Sequence, residues 1–196
     1  MTLDDRHLRW LLFAALGLLG AGVWAFVLRG ADGPADPVLG ETVDGGATSA
    51  SLPGEPDRVR LEGFDELAVT VDPGDGSRLA WCLLAALNSR QRARGLMEVT
   101  DLQGYSGMAF VYDEDVQNAF YMRNTPTPLS IAWVAADGSV VSIRDMEPCE
   151  DRDGCRRYAP SGPYRYAIEV PQGDLPALGI TESSTVLVGG SCAPTS

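Results

Sequence analysis

The chain has 196 residues, 45% of them hydrophobic, and a formal net charge of -12. That length and apolar content suffice for one ordinary domain with a real core plus accessory segments, which excludes a chain disordered throughout. All fifteen basic residues are arginines and the only histidine is His7; the acidic surface disfavours nucleic acid, and beyond the N-terminal segment histidine triads, histidine metal ligands and Schiff bases are excluded.

Residues 10–28 are nineteen in a row without a charge, the length of a helix that just spans a bilayer core. Trp10 and Trp24 lie towards its ends, and Arg6 and Arg9 precede it against Arg29 alone after it. This bias places residues 1–9 in the cytoplasm and the rest outside. A signal peptide is the competing reading, but its apolar region is shorter and ends in small residues, unlike Phe26-Val27-Leu28-Arg29. The expectation is an uncleaved signal anchor in the cell membrane. Residues 30–57 turn to Gly, Pro, Ala, Ser, Thr and Asp without an aromatic, a flexible tether with a reach of roughly 30 Å.

The globular part, residues 58–196, reads mainly as short strands, over 59–64, 67–71, 79–85, 108–112, 119–122, 129–135, 140–143, 164–170 and 185–188. Turn residues such as Asp72-Pro73-Gly74-Asp75-Gly76 and Gly162-Pro163 separate them, and Asp137-Gly138 between two apolar runs is a hairpin signal. Helical signals are few: Asn88 or Ser89 can cap a helix over 90–97, and 173–178 can form one turn. The expected fold is mainly β, a small antiparallel β-sandwich or barrel-like domain with one or two short helices.

Four cysteines lie in this region, where disulfides persist if it is extracytoplasmic. Cys149 and Cys155 bracket five residues and would close a tight acidic loop, leaving Cys82 to pair with Cys192. Without a usable histidine a zinc site would need four thiolates, and intervening stretches of 66, 5 and 36 residues match no finger or ribbon. No Cys-x-x-Cys is present to suggest a redox pair. No cofactor is expected.

The richest stretch joins Arg94-Gly95-Leu96-Met97, Gly107-Met108-Ala109-Phe110 and Phe120-Tyr121-Met122-Arg123-Asn124-Thr125-Pro126. Gly95 suits a helix end and Gly107 a close backbone approach before a strand. Met97, Met108 and Met122 read as adaptable packing against Phe110 and Phe120, with a thioether pocket for cuprous ion as the alternative. Together with Val140-Val141-Ser142-Ile143, Pro148-Cys149, Cys155-Arg156-Arg157-Tyr158 and Tyr166-Ala167-Ile168-Glu169-Val170, these motifs strongly resemble the DUF 192 family over about residues 66–190. The resemblance implies a small, mainly β, sandwich-like domain, often secreted or membrane-tethered, with no established activity. The chain departs from the family pattern at Glu98, Thr127 and Ser130, the last standing where an aspartate is frequent.

Arg94, Arg123, Asn124 and Thr125 are polar residues in an apolar framework. Either they satisfy turn backbone groups or they form a polar cleft for a carboxylate or sugar-like ligand. Asp145, Glu147, Glu150, Asp151 and Asp153 read as a solvated acidic face, or as a weak calcium site without the usual twelve-residue loop. The leading expectation is a tethered, non-catalytic module that binds a small ligand, an envelope polymer or a partner protein, with Arg94, Arg123, Asn124, Thr125, Asp145 and Glu169 as ligand-binding candidates. The alternatives are a hydrolase using Glu169 and Asp145 as acid and base, and a purely structural envelope protein.

Overall fold

The structure, a computed structural model, describes residues 58–192. The expected cytoplasmic N-terminus, membrane helix and tether lie outside the described residues. Among the described residues no helix is long and apolar enough to cross a membrane.

Alternation of apolar residues drives the first strand pair. In β1 (Asp65–Asp72), Leu67, Val69 and Val71 are buried while the residues between them are half-buried. β2 (Leu79–Ala86) becomes buried on both faces from Cys82 onward and pairs antiparallel with β1. The chain then makes a crossover through α1 (Ser89–Arg94) and returns as β3 (Met108–Val116), which pairs with β2 in parallel. A parallel pair needs such a crossover, since a tight turn cannot reverse the chain twice.

α1 is fixed at its start by a capping box: Asn88 Oδ1 accepts from the Gln91 amide at 3.0 Å and Gln91 Oε1 accepts from the Asn88 amide at 3.2 Å. The helix stops at Arg94 rather than reaching Met97 as the sequence suggests. Gly95 takes φ 49° and its amide donates to Gln91 O at 2.8 Å, and its ideal Cβ position lies 3.3 Å from the Phe110 ring, so the chain turns here to bring Leu96 into the core. Residues 59–64, expected as a strand, form a turn instead, with Gly63 at φ 87° and the Phe64 amide donating to Leu61 O at 3.2 Å. Phe64 alone of that stretch is buried.

After the short β4 (Phe120–Tyr121) come β5 (Leu129–Val134) and β6 (Val140–Met146), joined by the Asp137-Gly138 turn. All six residues of β5 are buried. The two-residue β7 (Arg157–Tyr158) pairs with β4. β8 (Tyr164–Pro171) runs between β3 and β5, antiparallel to both. A 3-10 turn over Leu175–Leu178 leads to β9 (Thr185–Val188) against β1.

The large sheet has the order β6-β5-β8-β3-β2-β1-β9. Its two ends meet: Ser139, at the β5-β6 turn, bridges Thr185 of β9, and the Val186 amide donates to Gly138 O at 2.8 Å. The sheet is therefore mixed and curled towards a barrel, in place of two antiparallel sheets face to face. Leu67, Val69, Leu83, Ala109, Ala132 and Ile168 pack one face. The other face carries Met108, Phe110, Ile131, Trp133 and Tyr164 under a cover that includes Leu96, Tyr105 and Met122.

The structure pairs Cys82 with Cys192 and Cys149 with Cys155, with Cα atoms 5.4 and 5.9 Å apart. The first ties β2 to the segment after β9, and the second closes the loop between β6 and β7. Beside the first bridge, Tyr105 donates its hydroxyl to Glu66 Oε2 at 2.7 Å; burial and then that carboxylate push the phenol up to about 12.

Candidate functional site

Gly107 lies against the strand that carries Glu169, a buried acid. A Cβ on Gly107 would lie 2.2 Å from Glu169 O and 2.9 Å from Val170 Cγ1, so only glycine lets the loop before β3 lie against β8. Glu169 itself is paired across β8 with Met108 on one side and Ile131 on the other. Its side chain shares the sheet face with those two apolar side chains, and the residue is 4% exposed. Burial alone pushes its pKa up to about 8, because a carboxylate loses hydration there and no cation or donor among the described residues compensates it. The consequence is a carboxyl that stays neutral at pH 7.

A cavity of about 120 Å³ opens over Glu169, walled by Arg94, Gly95, Met97, Phe120 and Tyr121 among others. Part of its lining is aromatic: Phe120 meets Phe110 edge-on at 5.1 Å, and Trp133 packs against Phe120 at 6.1 Å. The guanidinium groups of Arg92 and Arg94 are directed elsewhere. Arg92 Nη1 donates to Leu87 O at 2.9 Å and Val111 O at 2.8 Å, with the group 4.7 Å from the Tyr112 ring centre. Arg94 Nη1 donates to Glu62 O at 2.9 Å over the Phe64 ring. A second buried polar group lies on the same sheet face, the Trp133 indole N–H, which has no hydrogen-bond partner. Trp133 pairs with Ala167, two residues from Glu169.

The six candidates from the sequence divide. Arg94, Thr125 and Glu169 line this cavity. Asn124 and Thr125 line a second, more open hollow of about 470 Å³ beside the Cys149–Cys155 loop. There Asn124, at φ 56°, donates to Glu98 Oε1 at 3.4 Å, and Glu98, itself at φ 62°, donates its amide to Asn124 O at 2.8 Å. Arg123 points outward to Asp151 Oδ1 at 2.6 Å and Asp153 Oδ1 at 3.9 Å. Asp145 accepts from Ser130 Oγ at 2.6 Å. Ser130 and Asp145 face one another in the β5-β6 ladder, one residue out of step with Ile131 and Glu169, so Asp145 and Glu169 lie on opposite faces of the sheet. They do not form a facing carboxylate pair.

Arg92, Met97, Phe120 and Tyr121 also line the cavity and were not singled out for this role by the sequence. The signal that reaches the site is Glu169, an acid inside the apolar run Ile168-Glu169-Val170. The short distance between Gly107 and Glu169 also carries a prediction. Gly107→Ala is expected to destabilise the protein by about 3 kcal/mol, because the clash is with backbone that cannot rotate away; urea unfolding of the full chain in mild detergent measures it, and an effect below about 1 kcal/mol would show that the loop can shift.

The sequence matches the DUF192 family, described as Uncharacterized ACR, over residues 71–188. The chain belongs to the DUF192 family. Its match runs from the end of β1 to the end of β9 and so takes in Gly107, Glu169 and the cavity wall. A protein of unknown function from Novosphingobium aromaticivorans DSM 12444 is 29% identical, with a TM-score of 0.59 over 73% of this chain and 99% of that one. A candidate transcription regulator from Sinorhizobium meliloti 1021, at 22% identity, has a TM-score of 0.54 over 64% of this chain and 95% of that one; this likeness is one of fold. No curated protein matches the chain. DUF192 membership thus fixes the domain and leaves its activity to be argued from the site.

Proposed function

We propose that this DUF192 chain is a membrane-anchored, extracytoplasmic module that binds a small ligand, non-catalytically, in the cavity over Glu169. The observation that carries the reading is Glu169, a residue 4% exposed whose carboxyl has no hydrogen bond or ion pair among the described residues, lining an open cavity with Phe110, Phe120 and Tyr121. A carboxyl that loses hydration without gaining a protein partner costs free energy, and such a group in the lining of a cavity suits a ligand that supplies the partner. A purely structural protein would gain by having leucine there. The anchor rests on the uncharged run 10–28 and the arginines before it, and the extracytoplasmic placement is in keeping with the two disulfides.

The test is a thermal-shift screen of the full chain in mild detergent against sugars, peptides, amino acids and amines, since a ligand bound only by the native state raises the melting point. At least one compound should raise it for the wild type and fail to do so for Glu169→Leu. Silence across the whole panel would sink the reading. For the anchor, cell fractionation should find the chain in membranes with a C-terminal tag open to external protease; a soluble chain with a protected tag would remove it.

A further inference from the structure

We infer that the ligand of this cavity is a small organic cation, a primary ammonium or guanidinium group on a short apolar stem, which enters over Phe120 and Tyr121 and pairs with Glu169. The inference rests on the ligand-binding reading and adds its chemistry. Glu169 is a carboxyl to which the described protein offers no counter-ion: the charged side chains of the cavity wall are Arg92 and Arg94, and their guanidinium groups are directed to the carbonyls of Leu87, Val111 and Glu62. Neither contributes to the state of Glu169, on which burial is the only influence. Other ionisable groups facing this region are the phenols Tyr112 and Tyr164, both pushed up from the usual tyrosine range by burial first and so neutral at pH 7, and, at the cavity mouth, Tyr121 with the Arg157 guanidinium 5.6 Å from its ring centre. Ile131 and Met108, which flank Glu169 in the sheet, bring no charge.

Three further features favour a cation. Aromatic faces at the wall attract ammonium and guanidinium groups. A formal charge of -12 on the chain draws cations towards the protein surface, while the two guanidinium groups of the wall are held on backbone carbonyls. The volume of about 120 Å³ is roughly that of four water molecules, room for a charged head and a short stem, with any remainder of the ligand outside past the exposed Tyr121.

The pairing has a protonic signature. Glu169 is neutral at pH 7 in the empty site, and an ammonium holds it ionised, so binding expels the carboxyl proton to solvent. Affinity should rise about tenfold per pH unit from pH 6 towards 8 and level off above, as the carboxylate becomes available without loss of a proton. An anionic or neutral ligand would show the opposite trend or none.

Calorimetric titration of the full chain in mild detergent with n-butylamine, n-butanol and butyrate, at pH 6, 7, 8 and 9 and in two buffers of different ionisation enthalpy, tests this. The expected result is binding of n-butylamine alone, with close to one proton released per ligand at pH 7 and loss of at least tenfold in affinity for Glu169→Gln. Glu169→Leu, which should fold at least as well, serves as the second variant and should not bind. Glu169-dependent binding of n-butanol or butyrate in preference to the amine would overturn the cation while leaving a ligand cavity in place. Amine binding unchanged in both variants would overturn the inference and the cavity reading together. No binding of any of the three compounds would overturn the cation, and the wider thermal-shift panel then decides the cavity reading alone.

Discussion

Replacing Cys82 and Cys192 together by alanine is expected to lower the unfolding free energy by about 4–5 kcal/mol, against about 2 kcal/mol for the Cys149/Cys155 pair, on a loop-entropy account. The two bridges differ in the chain they close: 110 residues for the first and 6 for the second. A long closed loop removes more conformations from the unfolded chain than a short one. The first bridge also joins β2, near the middle of the sheet, to the segment that follows β9, so its loss frees the chain end next to Glu66 and Tyr105. Urea denaturation of the full chain in mild detergent, with each pair replaced in turn, measures the difference. Equal losses for the two pairs would show that local geometry, not chain entropy, sets what each contributes.

The second large effect concerns pH. Glu169 takes a raised pKa of about 8 in the folded state, from burial, against about 4.3 for an unperturbed glutamate. A raised folded pKa means the native state holds a proton that the unfolded chain has already released. Between roughly pH 4.5 and 8 stability therefore falls as pH rises, by about 1.4 kcal/mol per unit, and levels off once the folded carboxyl also ionises. The total is about 5 kcal/mol. Exposed carboxylates such as Asp75 and Asp137, held below the usual range by hydrogen bonds from Ser77 and Ser139, act in the opposite sense at lower pH, and subtraction removes them. The measurement is thus the difference between wild type and Glu169→Gln from pH 4 to 9: it should move steadily in favour of glutamine up to about pH 8. A flat difference would mean that solvent reaches the carboxyl.

Much of the fold was legible because its strands are runs of β-branched and aromatic residues with turn residues between them. Asp137-Gly138 is the clearest case: the turn forms where the dipeptide stands, with Asp137 Oδ1 accepting from the Ser139 amide at 3.0 Å, and it does a second job at the seam with β9 that no local signal announces. The stretch 59–64 misled because Val59, Leu61 and Phe64 resemble a strand, while Glu62-Gly63 in fact turns the chain so that Phe64 meets Arg94. The parallel pairing of β2 and β3 was not readable, since strand direction follows from the crossover through α1 and not from the strands' own residues. β7 is two residues long and below the reach of any periodic pattern.

The candidate site was legible in a different proportion. Arg123, Asn124 and Thr125 are adjacent in sequence, yet successive residues turn different ways: Arg123 to the acidic loop, Asn124 to Glu98 and Thr125 to the buried side. Adjacency therefore grouped side chains that the backbone separates. Asp145 and Glu169 looked equivalent as acids in strands, and only the register, which offsets them by one residue, puts one in water and the other in the core. Arg92 and Phe120 needed the helix end at Gly95 before they could be placed at all.

The seam between β9 and the β5-β6 turn gives the chain a clock. Of the described strands β9 is made last, and Cys192, which follows it, is made later still. Neither the closure of the curled sheet nor the bond to Cys82 can occur until the end of the domain has left the ribosome, and where the chain is threaded across a membrane, until it has emerged on the far side. Before that moment β1, with one edge against β2 and the other bare, waits with its hydrogen-bonding groups open to any passing strand. A chain arrested short of β9 would be expected to remain reducible, protease-sensitive and prone to associate, however much of its core it already holds.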